Sequence, residues 1–520
     1  MSIRCIMENS IKKILGIEFG STRIKAVLID GQANVMAQGV FEWENQLENG
    51  LWTYALEEVW LGARQAYRAL CQDYGAPIET LDGIGISAMM HGYLAFDKND
   101  ALLTSFRTWR NTNTEQAAEE LTERLEFNMP QRWSATHYYQ AVLNGEAHVG
   151  EVAFLTTLAG YVHWQLTGRK VLGIGDASGM FPVCNNAYDA ERLEKYNALL
   201  STRGVNKKLQ DLLPEILLAG EDAGCLTEAG AKLLDESGTL QAGVPCCPPE
   251  GDAGTGMVAT NAVKERTGNV SAGTSAFAMI VMDKQLSKVY PEIDVVTTPT
   301  GKPVAMVHVN NFTSEINAWT RLFEEVAELT GGKLDRGELF GRLFRKAQES
   351  DANVGGLVGY NYLSGEPIVN VKNGRPMLFR SPEGNMNLAN FMQMQIYSAL
   401  GALSLGMDIL KAEQVEIEDI CGHGGFFKTV EVSASAMSAA IGAPVTVMQN
   451  AGEGGAWGIA ILALYAVSEQ VGLENFLAEL FKETKKITVC ADETEKSKFS
   501  AFMDGYKKGL AVERLATEVL

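Results

Sequence analysis

The sequence predicts a mixed α/β protein of two domains divided near residue 262. Three observations predict it. The chain has 520 residues, beyond the size at which one hydrophobic core keeps growing, so two domains of roughly 250 residues each are expected. Strand-like and helix-like apolar spacings alternate through the first half. A hairpin built around glycine and hydroxyl residues stands near the start of each half, at Ile14 to Asp30 and again at Asn269 to Val281. No repeat is visible residue by residue, so a duplicated architecture rests on those two hairpins.

Along the chain, Ile14 to Asp30 alternates apolar with small or polar residues around Gly20-Ser21-Thr22-Arg23, the pattern of strand, turn and strand. Leu56 to Gln72 carries a helical apolar stripe, and Leu81 to Ser87 reads as a short buried strand ending in Met-Met-His-Gly. Helices are expected at Thr114 to Leu125, Ala153 to Leu166 and Asn206 to Leu213, with a strand and loop at Val171 to Gly179. Beyond the Pro- and Gly-rich segment Pro245 to Gly256 comes the second hairpin, then helices at Ser314 to Leu329, Asn387 to Leu410 and Ala451 to Val467. An apolar and acidic strand, Val415 to Cys421, leads into the glycine turn Gly422 to Gly425.

Composition narrows the partners. A formal charge of -20 repels phosphate backbones and anionic lipid headgroups, so neither nucleic acid nor a membrane is expected. No run reaches the roughly 18 apolar residues of a membrane span. Glu18 interrupts the apolar run that begins at Ile14, so no signal peptide is read and a cytoplasmic location is expected. Eight cysteines, without a C-x-x-C pair or zinc-ligand spacing, read as reduced and mostly buried thiols.

Five segments can carry chemistry. In Gly16 to Lys25, the turn residues Gly20, Ser21 and Thr22 let backbone N–H groups approach phosphate oxygens. Glu18, ending the preceding strand, is placed to hold a hydrated Mg²⁺, while Arg23 and Lys25 add positive charge; the plain alternative is a surface turn. Gly273, Thr274 and Ser275 repeat the design, and two such turns facing each other across a cleft would clamp a polyphosphate. Asp252 sits among small residues where a helix opens, suited to a general base on an attacking hydroxyl or, more simply, to a helix N-cap. Met90 and His91, with Trp109, Asn111 and Asn113 downstream, offer hydrogen bonds and an apolar wall to a polyol, although a lone His at a strand end is more often structural. Gly422 to Gly425 and Asn450 to Gly458 are small-residue segments suited to a flat purine slot or to close helix packing. There is no G-x-x-x-x-G-K-[ST] loop and no H-E-x-x-H, and Gly173 to Gly179 places the third glycine of a dinucleotide fingerprint one residue late.

Taken in order, these segments resemble the FGGY family of carbohydrate kinases, with Met90-His91-Gly92 and Asp176-Ala177-Ser178-Gly179 most similar to the xylulokinase branch. The likeness also takes in Gly251-Asp252, Ser271 to Ser275 and Tyr362-Leu363-Ser364-Gly365-Glu366, and spans nearly the whole chain. It implies two actin-like (ribonuclease H-like) ATPase domains with a cleft between them. Residues 1–262 would hold the sugar site and first phosphate loop, and 263–520 would bind ATP. By the same resemblance ATP and Mg²⁺ are cofactors, Asp252 is the base, Met90 and His91 line the sugar, and Gly273 with Thr274 binds phosphates. Gly424, Gly425, Asn450 and Glu453 would lie by the adenosine. The implied activity is phosphorylation of a sugar hydroxyl, most similar to that of kinases acting on a ketopentose such as D-xylulose.

Three positions depart from the family pattern. Glu18 stands where Asp is usual, which keeps the charge on a longer arm. Asn111 and Asn113 replace the acid and base of a Trp-x-Asp-x-Arg pattern, which should change the favoured hydroxyls. Pro248-Pro249-Glu250 replaces a glycine-rich loop and is expected to narrow the approach to Asp252. The alternatives are a kinase for L-ribulose, another ketose, a deoxy sugar or gluconate, and a nucleotide-binding regulator without turnover. A small-molecule sugar is the expected partner, and homodimerisation stays open.

Overall fold

In the computed structural model, which describes residues 12–332, 335–448 and 454–520, the chain divides into two units. The first takes the residues up to Asn261, Val295–Lys302, and a later stretch to Lys482 that includes the helix Gly455–Ala466. Its five-stranded sheet runs, in spatial order, Glu250–Gly251, Gly83–Ala88, Ile14–Phe19, Arg23–Ile29 and Val35–Glu42. The last three pair antiparallel, as short turns require, whereas Gly83–Ala88 and Glu250–Gly251 add in parallel. Register places Glu18 beside Ser87 and Ser87 beside Glu250. The turns beyond these three strands therefore leave from one edge of the sheet, the edge where parallel α/β sheets hold ligands.

Glycines set how closely helices cover this sheet. A Cβ added at Gly39 would lie 2.0 Å from the Ala66 carbonyl oxygen of the helix Leu56–Tyr74. On the opposite face, one at Gly16 would lie 2.1 Å from the Ala456 oxygen and one at Gly85 2.5 Å from the Ile459 oxygen. The helix Gly455–Ala466 is thus pressed against the strands by backbone contact, and apart from Trp457 its buried residues, among them Ala456, Ile459, Ala460 and Ala463, are small or aliphatic.

The second unit is built on a seven-stranded sheet. Six of its strands, in spatial order, are Pro303–Val309, Ala276–Val281, Thr267–Ala272, Asp419–His423, Val445–Met448 and Lys486–Val489. The first two junctions are antiparallel and the next two parallel. With the seventh strand, Ile293–Thr297, left out of the count, the named strands of both units follow the spatial order third, second, first, fourth, fifth with the same strand directions, which supports the duplication suggested by the hairpins. The helix Leu388–Ala412 is buried along most of its length and forms the spine of this unit. No helix among the described residues is long and apolar enough to cross a membrane.

Some elements differ from the sequence expectation. The helix expected over Ala153 to Leu166 is a strand, Phe154–Thr156, followed by a helix, Leu158–Thr167. Thr157 caps that helix by accepting from the Gly160 N–H (3.3 Å), so a continuous apolar run concealed a strand-to-helix junction. Asn206 to Leu213 contains only the 3₁₀ turn Leu209–Asp211, and the strand expected from Val415 begins at Asp419. Val171–Gly173 is a strand as read, but it runs directly into a helical turn, Ile174–Ala177, in place of a loop. All seven described cysteines are unpaired, yet only Cys246, Cys247 and Cys421 are buried. Cys184, Cys225 and Cys490 are exposed and Cys71 is half-buried, which corrects the expectation of mostly buried thiols; Cys184 ends the two-residue strand of a small hairpin that has little core to enter.

Candidate active site

The first hairpin turn is closed by the Gly20 N–H donating to the Arg23 carbonyl (3.0 Å). Three aromatic donors fasten it from behind: Trp43 Nε1 to the Gly20 carbonyl (2.7 Å), the Tyr54 hydroxyl to the Ser21 carbonyl (2.6 Å) and Trp109 Nε1 to Ser21 Oγ (3.1 Å). Trp43 and Tyr54 stack at 4.2 Å, so the turn rests on a rigid aromatic shelf. Thr22 and Arg23 are exposed, and Lys25 is buried two residues into the second strand.

Glu18, the penultimate residue of the first strand, has its carboxylate at the start of the helix Gly455–Ala466, where the Ala456 N–H donates to Oε2 (3.3 Å). A Cβ at Gly455 would lie 2.3 Å from Oε1, so the absence of a side chain there is what makes room for the carboxylate. Burial and the charge of Asp252 raise the Glu18 carboxyl to about 7, against the opposing pull of the Ala456 N–H, Arg23 and Lys25.

Asp252 is the first residue of the helix Asp252–Ala259, and Gly251 occupies the cap position. Its Oδ1 accepts from the Met90 N–H (3.1 Å), which ties the turn after one parallel strand to the helix after the next. Burial raises this carboxyl to about 6, partly offset by the Met90 and Ala253 N–H groups. Two further acids lie behind it. Glu250 is 2% exposed and accepts from the Gly175 N–H (3.1 Å) and the Asp176 N–H (2.9 Å), and burial pushes it up to about 7. Asp176 is fully buried; Thr157 donates to its Oδ2 (2.6 Å), and the His91 N–H also stabilises the carboxylate. Burial above all, with the charges of Glu250 and Asp252, holds the Asp176 carboxyl well above the usual range. The Pro-Pro-Glu segment has a structural use beside the expected narrowing: Glu250 fastens the Asp176 turn to the strand that leads into Asp252.

Met90 and His91 are both buried at the end of the strand Gly83–Ala88. His91 adopts φ 71°, a left-handed conformation costly for a residue with a Cβ, and its Nδ1 meets the Gly179 carbonyl at 3.1 Å. A carbonyl only accepts, so Nδ1 carries the proton in that contact. The Asn111 amide goes to backbone: Oδ1 accepts from the Trp52 N–H (2.9 Å), and Nδ2 donates to the Trp52 carbonyl (2.8 Å) and the Thr108 carbonyl (3.0 Å). Asn113 is exposed. Met90, His91, Asp252 and the Ser21 to Trp109 contact therefore belong to one unit, whereas Asn111 braces its interior.

In the second unit the Gly273 N–H closes its turn on the Ser275 carbonyl (2.9 Å), one residue tighter than the closure of Gly20 on Arg23, and leaves Thr274 exposed. Gly424 and Gly425 are exposed just beyond the strand Asp419–His423. Gly424 takes φ 101° and passes so close to Ala272 that a Cβ would lie 2.5 Å from its carbonyl oxygen, while one at Gly425 would meet nothing within 4 Å. Asn450 and Glu453 lie outside the described residues. Sequence reasoning missed Trp43, Tyr54, Thr157 and the structural use of Glu250; only Asp176 carried a signal, through its Asp-Ala-Ser-Gly segment.

A model of the N-terminal domain of the FGGY family of carbohydrate kinases matches residues 13–258, and a model of that family's C-terminal domain matches 268–467. The xylulose kinase of Haemophilus influenzae is 23% identical over 493 residues, covering 90% of this chain and 93% of its own. Among solved structures, a gluconate kinase from Lactobacillus acidophilus superposes with a TM-score of 0.79 at 17% identity, covering 97% of this chain and 99% of its own. A ligand-bound xylulose kinase from Lactobacillus acidophilus gives 0.78 at 16%, covering 96% and 98%. At those identities the structural likeness carries the fold.

Proposed function

The chain belongs to the FGGY family of carbohydrate kinases and is a sugar phosphotransferase, and on that footing we propose that it transfers the γ-phosphoryl group of ATP to a hydroxyl of a ketopentose such as D-xylulose. Asp252 takes the proton of that hydroxyl, the hydroxyl oxygen bonds to the γ-phosphorus, and the bond to the β–γ bridging oxygen breaks to release ADP. The observation that carries this reading is the placement of Asp252, anchored through Oδ1 by the Met90 N–H with its carboxyl raised to about 6. A base so tuned is ionised at neutral pH yet close enough to it to accept a proton.

Glu18 fits a hydrated Mg²⁺ by its chemistry: a hard oxygen donor with room beside it at Gly455, next to a second carboxylate whose charge a cation would relieve. Bound with the nucleotide, Mg²⁺ supplies charge neutralisation at the phosphates. Each backbone turn, Gly20 to Arg23 in the first unit and Gly273 to Ser275 in the second, offers N–H groups suited to phosphate oxygens, and Met90 with His91 sets the sugar against Asp252.

The gluconate kinase among the structural relatives puts aldonic acids beside ketoses as the second reading. ADP release measured with D-xylulose, L-ribulose, other ketoses, deoxy sugars and gluconate tests the choice: turnover highest with a ketopentose supports the first reading, and highest with gluconate replaces it. ATP binding without ADP release from any sugar overturns both.

A further inference from the structure

The segment Tyr362-Leu363-Ser364-Gly365-Glu366 has no part in the reaction described above, yet it ends in a fully buried carboxylate. We infer that Glu366, acting with Asn311, is a positioning residue for the phosphate turn Gly273-Thr274-Ser275. The inference rests on the reading that this turn receives the phosphates of ATP.

The chain of contacts is continuous. The turn is gripped from behind by the two residues that lead into the helix Ser314–Leu329. The Phe312 N–H donates to the Thr274 carbonyl (3.0 Å), and Thr313 donates to the Gly273 carbonyl through both its N–H (3.3 Å) and its hydroxyl (2.7 Å). The residues just before them are held by Glu366. Its Oε2 accepts from the Asn310 N–H (3.0 Å), the Asn311 N–H (3.3 Å) and Asn311 Nδ2 (3.3 Å). Asn311 closes the loop in the other direction, its Oδ1 accepting from the Leu363 N–H (2.9 Å) and the Ser364 N–H (3.0 Å). Asn361 Nδ2 donates in turn to the Asn311 and Phe312 carbonyls (3.0 and 3.1 Å). Glu366 is itself pinned, its N–H donating to the Val371 carbonyl (2.7 Å) and its carbonyl accepting from the Val371 N–H (3.1 Å).

A turn that binds phosphate through backbone N–H groups is only as well aimed as its peptide planes, and those planes are fixed here by what holds the carbonyls on their reverse side. Asn311, Asn361 and Glu366 are 4%, 2% and 0% exposed, so their bonds lie in a low-dielectric interior where each is strong and its loss costly. Neither Asn311 nor Glu366 is placed to touch a ligand. Their effect is expected on ATP alone, because the sugar-lining Met90 and His91 belong to the other unit.

The test is a pair of saturation curves, for ATP and for the best sugar, together with calorimetric titration of ATP in the absence of sugar. Glu366→Ala should raise the ATP KM and the ATP dissociation constant roughly tenfold or more, with the sugar KM within about twofold of the parent. Glu366→Gln should restore part of the loss, because an amide oxygen can replace Oε2 as the acceptor for the Asn310 and Asn311 N–H groups, while its NH2 cannot accept from the Ile368 N–H that the carboxylate also draws. Thr313→Val removes only the hydroxyl bond to Gly273 and should give a smaller defect of the same kind, so the inference stays testable if Glu366→Ala fails a melting check. ATP affinity unchanged in folded Thr313→Val and Glu366→Ala, or ATP and sugar KM values raised alike, overturns the inference while leaving the kinase reading intact. A parent chain that does not bind ATP overturns both.

Discussion

Replacing Asp252 with Asn removes the base while leaving an amide oxygen to accept the Met90 N–H at Oδ1, so the helix start should keep its place. Loss of a positioned general base lowers turnover by roughly 10² to 10⁴, a barrier increase of about 3 to 5 kcal/mol. The pH profile of the parent gives a second reading of the same group. Burial raises the Asp252 carboxyl from 3.8 to about 6, so the ionised form that accepts the proton is lost as pH falls through about 6. For one group titrating there, kcat/KM should sit at ~90% of its plateau at pH 7 and near ~10% at pH 5, because kcat/KM reports the free enzyme. A coupled ADP assay with the best sugar of the panel, run from pH 5 to 8 beside a melting curve at each pH, measures both effects. Asp252→Asn retaining more than about a tenth of parental turnover, or a parental kcat/KM flat between pH 5 and 7, would refute the assignment.

Glu18→Gln should lower turnover and raise the Mg²⁺ concentration needed for half-activation. In the parent, proton and metal compete for a carboxyl raised to about 7, so apparent Mg²⁺ affinity should weaken about tenfold per pH unit below 7, and a titration at pH 6 and 8 that finds no such slope counts against Glu18 as ligand. The raised carboxyls also bear on stability. Glu18 and Glu250 move from 4.5 to about 7 and Asp252 from 3.8 to about 6. The folded chain then binds more protons than the unfolded one between about 4 and 7, and resistance to urea should fall as pH rises through that window and level off above it. Asn111→Asp, which restores the acid of the family pattern, would point a carboxylate at the Trp52 and Thr108 carbonyls. It should cost about 1–3 kcal/mol in a melting experiment and leave the order of sugar preference unchanged. Gly175→Ala places a Cβ 2.5 Å from Glu250 Oε2. Its destabilisation should shrink by about 1–2 kcal/mol in a Glu250→Ala background, and a strictly additive double-mutant cycle would show that the two residues are not packed as described.

Much of the architecture was legible because hairpins and long amphipathic helices announce themselves locally. Both hairpin turns, the helix opening at Asp252 and the helices near residues 56, 314 and 387 are consequences of short-range spacing. Spacing does not carry which strands lie side by side. The row Glu18, Ser87, Glu250 joins residues more than two hundred positions apart, and only pairing reveals it. The same holds for the helix Gly455–Ala466, whose place against Gly16 and Gly85 returns late sequence to the first unit. Asn111 shows the limit in the other direction. Its position in a family pattern suggested a ligand contact, yet its amide is used by Trp52 and Thr108, a choice that depends on where the chain has folded back.

Glu250 illustrates how a departure from a family pattern can be compensated within one fold. A buried carboxylate beside Asp252 would ordinarily be a liability, since an uncompensated charge in the interior is costly and repels its neighbours. Here the Gly175 and Asp176 N–H groups meet both oxygens, and Gly173 and Gly175 lack the side chains that would otherwise occupy the same space, an added Cβ at either lying 2.5 Å from Glu250. The Gly173 N–H also donates to the Pro249 carbonyl (2.8 Å), so two consecutive residues of the Pro-Pro-Glu segment are sewn to the Asp176 turn. The consequence reaches the chemistry, because Asp176 and Asp252 then keep a fixed relation through one short strand. A change of acceptor sugar is for that reason expected to come from the residues that line the turn, Met90 and His91, before it comes from the braced position at 111.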